Sequence, residues 1–441
     1  MKKRLSIFVL WYLRFLAGLQ LKKINPKIIG VGGASGKTSL SNFIHIILKS
    51  KYKVKQGKGK NSETGIPLDI LKLNISNYSY SEWLRLMFLA PLKIIFDFEK
   101  YDIYIAEMGI DSPLEPKNMS YLLKIIKPDI GVLTNISYEH SVYFDPLVKE
   151  DKNREQSILN MTIAQESLLL TSLSAEKTAV VNLDDENIEK IKNIKAKVLT
   201  VSKNDENADF YIETIKNFVN EFLLQFKYKD KKYELRINNP LPDHFAYSFL
   251  LAIAVSLEAG VDLKQAIKAL EEEFFLPPGR MSVFKGIKDT VIVDSSYNNA
   301  TLTPILDLLS FVKEIGKQRR RVGIIGDMRE LGTVSKPLHE EVAKKILDTL
   351  DVVILIGPLS QKYILPVLKR YDFPAFSFVN FTSAKSTILE KIKPKDVILV
   401  KGSQNTLFLE RAVELLLNDK KDAKLLCRRG EYWEKIREKT L

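Results

Sequence analysis

A chain of 441 residues is too long for one ordinary hydrophobic core, so two or three domains are expected. With 45% hydrophobic and 27% charged residues it has a globular composition, and its single cysteine, Cys427, excludes an internal disulfide and a Cys-based zinc site. The formal charge of +13 fits a solvated lysine-rich surface, phosphorylated substrates or an anionic membrane, whereas no arginine-glycine or aromatic-basic pattern points to nucleic acid.

Residues 5–21 (LSIFVLWYLRFLAGLQL) form the first apolar run, between Lys2, Lys3, Arg4 and Lys22, Lys23. A spanning helix needs about 20 apolar residues, and this run is shorter and broken by Arg14. Arg14, Gly18 and Lys22 recur at helical spacing and share one face. Two readings stand: an interfacial helix on the inner face of an anionic membrane, or a helix docked on the domain that follows. A cleaved signal peptide ranks below both, because no small-residue cleavage site follows.

Residues 27–33 (KIIGVGG) read as a buried strand and 37–50 as an amphipathic helix, the opening of a nucleotide-binding α/β unit. Apolar runs at 103–108, 130–135 and 179–182 alternate with helical patterns, which implies a mainly parallel sheet. Residues 242–273 read as helical and end at Leu276-Pro277-Pro278-Gly279, the strongest domain boundary. A second series follows, with strands at 290–293, 321–326, 351–357 and 396–401 and helices at 338–350 and 407–417. The charged tail from Asp419 reads as a surface helix or loop. The expected organisation is an apolar helix at 1–26, a central P-loop ATPase domain at 27–279 and a C-terminal Rossmann-like α/β domain at 280–441. A reducing, cytoplasmic setting suits this composition.

Gly33-Ala34-Ser35-Gly36-Lys37-Thr38-Ser39 lies between the first strand and its helix. Glycines let backbone N–H groups turn toward phosphate oxygens, and the helix N-terminus adds partial positive charge. Lys37 is expected on the β- and γ-phosphates and Thr38 on Mg²⁺. Val31 stands where the full Walker pattern has its first glycine, so this is a shorter GxxGKT form.

The order of further blocks resembles the Mur ligase family, which builds peptide bonds in bacterial cell-wall precursors, and within it the MurF type. The loop is similar to the family's GTxGKT form, with Ala34 at its first threonine. Residues 61–72 (NSETGIPLDILK), Glu107-Met108-Gly109, residues 127–136 (KPDIGVLTNI) with His140, and Pro278-Gly279-Arg280-Met281 follow the family's blocks in order. So do residues 294–298 (DSSYN), 326–332 (GDMRELG) and Lys401-Gly402-Ser403. The resemblance covers roughly residues 27–418 and implies an ATP-dependent ligase that joins a carboxylate to an amine through an acyl-phosphate.

By that resemblance ATP and two Mg²⁺ ions serve the reaction. Lys37 neutralises phosphate, Glu107 holds one Mg²⁺ and His140 the other, and Asn135 positions a water or a metal. Arg280 clamps phosphate oxygens, Asp294 accepts from the ribose hydroxyls, and Tyr297 and Asn298 border the adenosine. The site is expected in the cleft between the two α/β domains, closing Arg280 and Asp294 onto ATP held by Lys37 and Thr38. Lys401 is expected to shape the cleft wall, and residues 326–332 to form a substrate-facing turn.

Three departures qualify the match. The family's carbamylated lysine would fall at Glu166, beside Gln165, with no lysine between Asn153 and Leu173; Glu166 is the expected replacement as a metal ligand. His244 is kept near the adenine, but Phe245 and Ser248 stand where asparagines are expected. About 26 residues precede the loop strand, too few for the MurF type's UDP-binding domain, which leaves the acyl substrate open. Relatives that act on folate or build amino-acid polymers share the loop. A degenerate nucleotide-binding scaffold at the membrane is the alternative from a different class.

Overall fold

The alternation of short apolar strands with helices sets the architecture from Lys27 onward. The structure, a computed structural model, describes residues 2–57, 59–75, 79–96, 99–138, 143–148, 153–218, 221–297, 302–403 and 407–438. It divides into two units: Met1–Thr214 with Leu224–Leu235 and Ala246–Phe274, and Ile215–Leu223 with Arg236–Phe245 and Phe275–Leu441.

The first series runs α1 (Lys2–Ile24), β1 (Lys27–Gly32), α2 (Lys37–Leu48), β2 (Val54–Gln56), α3 (Gly65–Ile70), α4 (Tyr80–Phe96), β3 (Ile103–Glu107), α5 (Met119–Ile125) and β4 (Ile130–Leu133). It continues with α6 (Arg154–Thr171), β5 (Thr178–Asn182), α7 (Glu186–Glu189), β6 (Lys197–Ser202), β7 (Phe210–Asn217), β8 (Phe222–Tyr228), β9 (Lys231–Ile237), α8 (His244–Glu258) and α9 (Leu263–Glu273). Its sheet has the order β2-β3-β1-β4-β5-β6-β7-β8-β9, and the pairs from β2 through β7 are parallel. Ile29, Val31, Ile105 and Val132 are wholly buried, as a parallel sheet covered by helices requires. On α2, Phe43 anchors the helix layer, with its ring centroid 4.8 Å from Phe249 and 5.7 Å from Phe274.

The second series runs β10 (Ser282–Gly286), β11 (Thr290–Ser295), α10 (Leu302–Ile315), β12 (Arg321–Gly326), α11 (Ser335–Thr349), β13 (Val352–Ile356), α12 (Leu365–Lys369), β14 (Ala375–Phe378), α13 (Phe381–Lys391), β15 (Val397–Lys401), α14 (Glu410–Leu416) and α15 (Glu431–Glu438). The sheet order is β10-β11-β15-β12-β13-β14, parallel except for the antiparallel edge strand β10. Its core is mainly aliphatic, built on Ile292, Ile324, Ile354, Ile398 and Val400, with Phe284 and Phe381 added.

Several expectations need correction. Residues 242–273 are two helices, broken where Gly260 takes φ +98° and the Asp262 side chain caps α9 by accepting from the Lys264 and Gln265 amides. No strand was expected between Asn182 and Pro242, yet β6 to β9 lie there. β6 and β9 carry many exposed or half-buried residues, and the β8–β9 turn uses Lys229 and Asp230 at φ 49° and 61° without a glycine signal. The tail is not wholly surface: Leu426, Cys427 and Arg428 are buried. For the first helix the docked reading holds: it packs on α3, α4 and α5 through residues that include Leu13, Leu16, Ala17 and Leu21. Arg14, on its supposed polar face, lies over the Tyr121 ring at 5.2 Å. Among the described residues no helix is long and apolar enough to cross a membrane.

Candidate active site

Register brings the first group of predicted residues to one sheet edge. In β1, Val31 lies opposite Glu107 of β3 and Gly32 opposite Leu133 of β4, so the loop after Gly32, Glu107 and the Thr134-Asn135 segment share the carboxyl ends of three adjacent strands. Ligands of open parallel sheets bind at that edge.

Gly33 and Gly36 have φ +111° and +80°. A Cβ on Gly33 would meet Thr134 Oγ1 at 2.3 Å and the Asn135 carbonyl at 2.8 Å; at Gly36 the nearest atom is 3.9 Å away. Gly33 therefore lets the loop press on the next strand's exit, while a Cβ at Gly36 would make only an ordinary van der Waals contact. Gly36 is the N-cap of α2 and makes no side-chain cap hydrogen bond. The first N–H groups of α2 have no acceptor within the helix and suit an anion.

Asn135 braces the loop. Its backbone carbonyl accepts from Ala34 N–H at 2.8 Å, and its Oδ1 accepts from Ser35 N–H at 3.0 Å and Ser35 Oγ at 3.3 Å. Asp185, the cap of α7, accepts from Ile136 N–H at 3.2 Å, and Asn187 donates to the Ile136 carbonyl at 2.9 Å. Sequence reading gave the Asn182–Asp185 block no part in the site. Its asparagine–acid pattern before a short helix is a capping signal that could have shown its part in holding Asn135.

Lys37 arches back over the loop, donating to the Gly33 carbonyl and, at 2.8 Å, to the Ala34 carbonyl. Thr38 Oγ1 donates to Glu107 Oε2 at 2.9 Å, and Glu107 is 3% exposed. A hydroxyl and a carboxylate side by side at the helix start are the hard oxygen donors that Mg²⁺ takes together with phosphate oxygens, so the residues fit that ion. Ser39 is buried in the same turn. Glu166 on α6 is buried and accepts from Gly33 N–H at 3.1 Å, which places its carboxylate beneath the loop. His140 lies outside the described residues. Among the described residues no group of three or more His, Cys, Asp or Glu side chains is gathered as a metal site.

The second unit gathers the other group. Gly279, at φ +73°, accepts from Tyr297 N–H at 3.1 Å, and a Cβ there would meet Tyr297 Cβ at 2.8 Å and Cys427 Sγ at 2.9 Å. The turn thus packs directly on the end of β11. The Arg280 guanidinium lies over the Tyr297 ring at 5.2 Å. Asp294 is fully buried; Oδ1 accepts from Ser296 N–H at 3.0 Å, and Oδ2 has no hydrogen-bond partner among the described residues. Burial pushes its carboxyl up to about 6 despite the Ser296 hydrogen bonds. Asn298 lies outside the described residues. His244 pairs with Asp307 at 3.1 Å. Asp327 of the 326–332 turn is buried and accepts from the Leu359 and Ser360 amides, at 3.2 and 2.7 Å, so it ties that turn to the helical segment that follows β13. Lys401 is 1% exposed at the end of β15, opposite Ser295 of β11.

Sequence reading missed Arg428. Its guanidinium sits 5.0 Å from the Tyr297 ring centre, donates to the Tyr297 carbonyl at 3.0 Å and pairs with the buried Glu410 at 2.8 Å. An arginine in a highly charged tail gives no local signal that it folds back by 131 positions.

Residues 31–256 match the model of the Mur ligase middle domain, which alone spans more than half the chain, and residues 279–404 match the Mur ligase glutamate ligase domain. The chain belongs to the Mur ligase family. It is an ATP-dependent, amide-forming ligase of the ADP-releasing kind. The UDP-N-acetylmuramoyl-tripeptide–D-alanyl-D-alanine ligase of Borreliella burgdorferi is 25% identical over 408 residues, covering 90% of this Mur ligase and 76% of the relative. That of Bacillus subtilis is 24% identical over 419 residues, covering 92% and 79%. Among solved structures, MurF from Acinetobacter baumannii superposes with a TM-score of 0.73 at 18% identity, covering 91% of this chain and 79% of that one. MurF from Thermotoga maritima in complex with ADP has a TM-score of 0.69 at 19% identity, covering 98% and 84%. The expected α/β fold and the expected family both hold.

Proposed function

We propose that this Mur ligase extends a cell-wall precursor peptide, activating its terminal carboxylate as an acyl-phosphate and joining it to D-alanyl-D-alanine. The relatives that match along nine-tenths of its length carry that activity in their names. The observation that carries the reading is the Thr38 hydroxyl set against the buried Glu107 carboxylate at the mouth of a glycine loop.

A carboxylate does not react with an amine at neutral pH because its leaving group would be oxide. Attack of a carboxylate oxygen on the γ-phosphorus breaks the bond to ADP and makes phosphate the leaving group. The amine nitrogen then attacks the acyl carbon, loses a proton, and phosphate departs. Positioning and charge neutralisation dominate such transfers. The amides of residues 36–39 cradle phosphate oxygens, while those of Gly33, Ala34 and Ser35 are taken up by Glu166 and Asn135, and Lys37 exchanges its loop carbonyls for the β- and γ-phosphates. Thr38 and Glu107, with His140 and Glu166, would hold two Mg²⁺ ions, which supply positive charge between the two anions. Arg280 clamps phosphate oxygens. Asp294 takes the ribose hydroxyls, its Oδ2 being the acceptor without a protein donor among the described residues. Tyr297 and Asn298 border the adenosine.

The enzyme works in the cytoplasm, with residues 5–21 in peripheral contact with the membrane. A phosphate-release screen over UDP-muramoyl peptides, each offered D-alanyl-D-alanine and other amines, tests the substrates. Release is expected with the tripeptide and D-alanyl-D-alanine together. Turnover only with a folate or a poly-amino acid would replace the cell-wall substrate.

A further inference from the structure

Helix α1 is apolar on two sides. One side is used up by docking, through Val9, Leu13, Leu16, Ala17 and Leu21. The other leaves Ile7, Phe8, Trp11, Phe15 and Leu19 between 40% and 58% exposed. Three of these rings form a ladder along the helix: Phe8 to Trp11 at 6.0 Å and Trp11 to Phe15 at 5.8 Å between centroids.

The neighbouring helix repeats the pattern. Tyr12 Oη donates to the Met87 carbonyl at 3.0 Å and Lys23 Nζ to the Ile94 carbonyl at 2.9 Å, so α1 and α4 run side by side. In α4, Leu84, Phe88, Ile95 and Phe96 are 63% to 81% exposed. Large apolar side chains on two adjacent helices go beyond the scattered exposure normal for a soluble surface.

Charge selects the occupant. No acidic residue occurs in α1, and the one acid of α4, Glu82, is buried and faces Arg85 at 3.5 Å. Apart from Glu82 the charged residues of the two helices are all basic, Lys2, Lys3, Arg4, Arg14, Lys22, Lys23, Arg85 and Lys93, on a chain of net charge +13. A second copy would bring the same basic residues against themselves, whereas an anionic lipid surface complements them.

We infer that α1 and α4 together form a platform that rests in the interfacial layer of an anionic bilayer, with the aromatic and aliphatic side chains among the acyl chains and the lysines at the headgroups. This extends the contact proposed for residues 5–21 and rests on it; the part played by α4 is new. A platform of this kind would hold the ligase where lipid-bound or membrane-proximal substrates are made.

The full chain should be sedimented with vesicles of phosphatidylcholine alone and with about 30% phosphatidylglycerol, alongside W11E and F88E, both at exposed positions outside the catalytic machinery. Binding is expected only to the anionic vesicles, to weaken in high salt, and to fall about tenfold or more in each variant, with ATP-dependent phosphate release from a soluble substrate unchanged. Binding lost in W11E and kept in F88E overturns the role of α4 and leaves the α1 contact standing. Binding that ignores both substitutions, or fails at any phosphatidylglycerol content, overturns the platform altogether. So does lipid-free dimerisation in analytical ultracentrifugation that the variants abolish, which would assign the face to a second copy. Loss of phosphate release in unmodified protein would instead count against the ligase reading.

Discussion

Asp294 sits fully buried at the end of β11, with burial as the main cause that pushes its carboxyl up to about 6. The fold therefore favours the protonated form. The stability this gives is full below the unfolded value near 3.8 and is lost as pH rises through about 6, above which a buried carboxylate remains as a cost. D294N should stabilise the protein at pH 7.5 by about 2 kcal/mol and change little at pH 4, read from denaturant midpoints. The same substitution, and acidification of the unmodified enzyme below pH 6, should raise the KM for ATP if Asp294 accepts from ribose; a KM indifferent to both removes it from the site. Arg428 and Glu410 make the complementary case. R428M leaves a buried carboxylate unpaired and should cost about 3–5 kcal/mol, while R428M/E410L restores most of that loss. The double variant should still bind ATP more weakly, because the Tyr297 carbonyl loses its donor; recovery of both stability and KM would make the pair purely structural.

Among the elements, the loop between β1 and α2 was the most legible, because its chemistry is local: glycines, lysine and threonine within a few residues of a strand end. What the sequence could not show was how that loop is braced. Asn135 belongs to another strand's exit, 100 positions away, and Glu166 reaches Gly33 from 133 positions away. The two glycines make the difference testable. G36A should cost only the left-handed backbone strain, about 1–2 kcal/mol, since its Cβ would collide with nothing. G33A adds a collision with Thr134 and Asn135, so its urea midpoint should fall further, and displacement of the loop by about 1 Å should lower kcat/KM about a hundredfold. Equal midpoints for the two variants would mean that the loop is not pressed against that segment. The strands from β6 to β9 escaped notice for a different reason: half-exposed residues and a glycine-free turn dilute the alternation that marks a strand. The first helix was legible in its existence and not in its two apolar faces, which only docking separates.

For the whole molecule, the two α/β series could be read from strand–helix alternation, and the Pro277-Pro278-Gly279 turn lies between α9 and β10. The units are not simple stretches of chain, since residues 215–223 and 236–245 cluster with the second; periodicity has no means of showing that. The family assignment rests on motif order along the chain, and the activity follows from placing a triphosphate's terminal group beside a carboxylate. That placement can be followed atom by atom. With the peptide carboxylate labelled with ¹⁸O, one labelled oxygen should appear in released phosphate for each amide formed, and K37A should abolish both products. Amide formation with no label in the phosphate would contradict activation through an acyl-phosphate, and undiminished turnover in K37A would contradict the loop as the place where it happens.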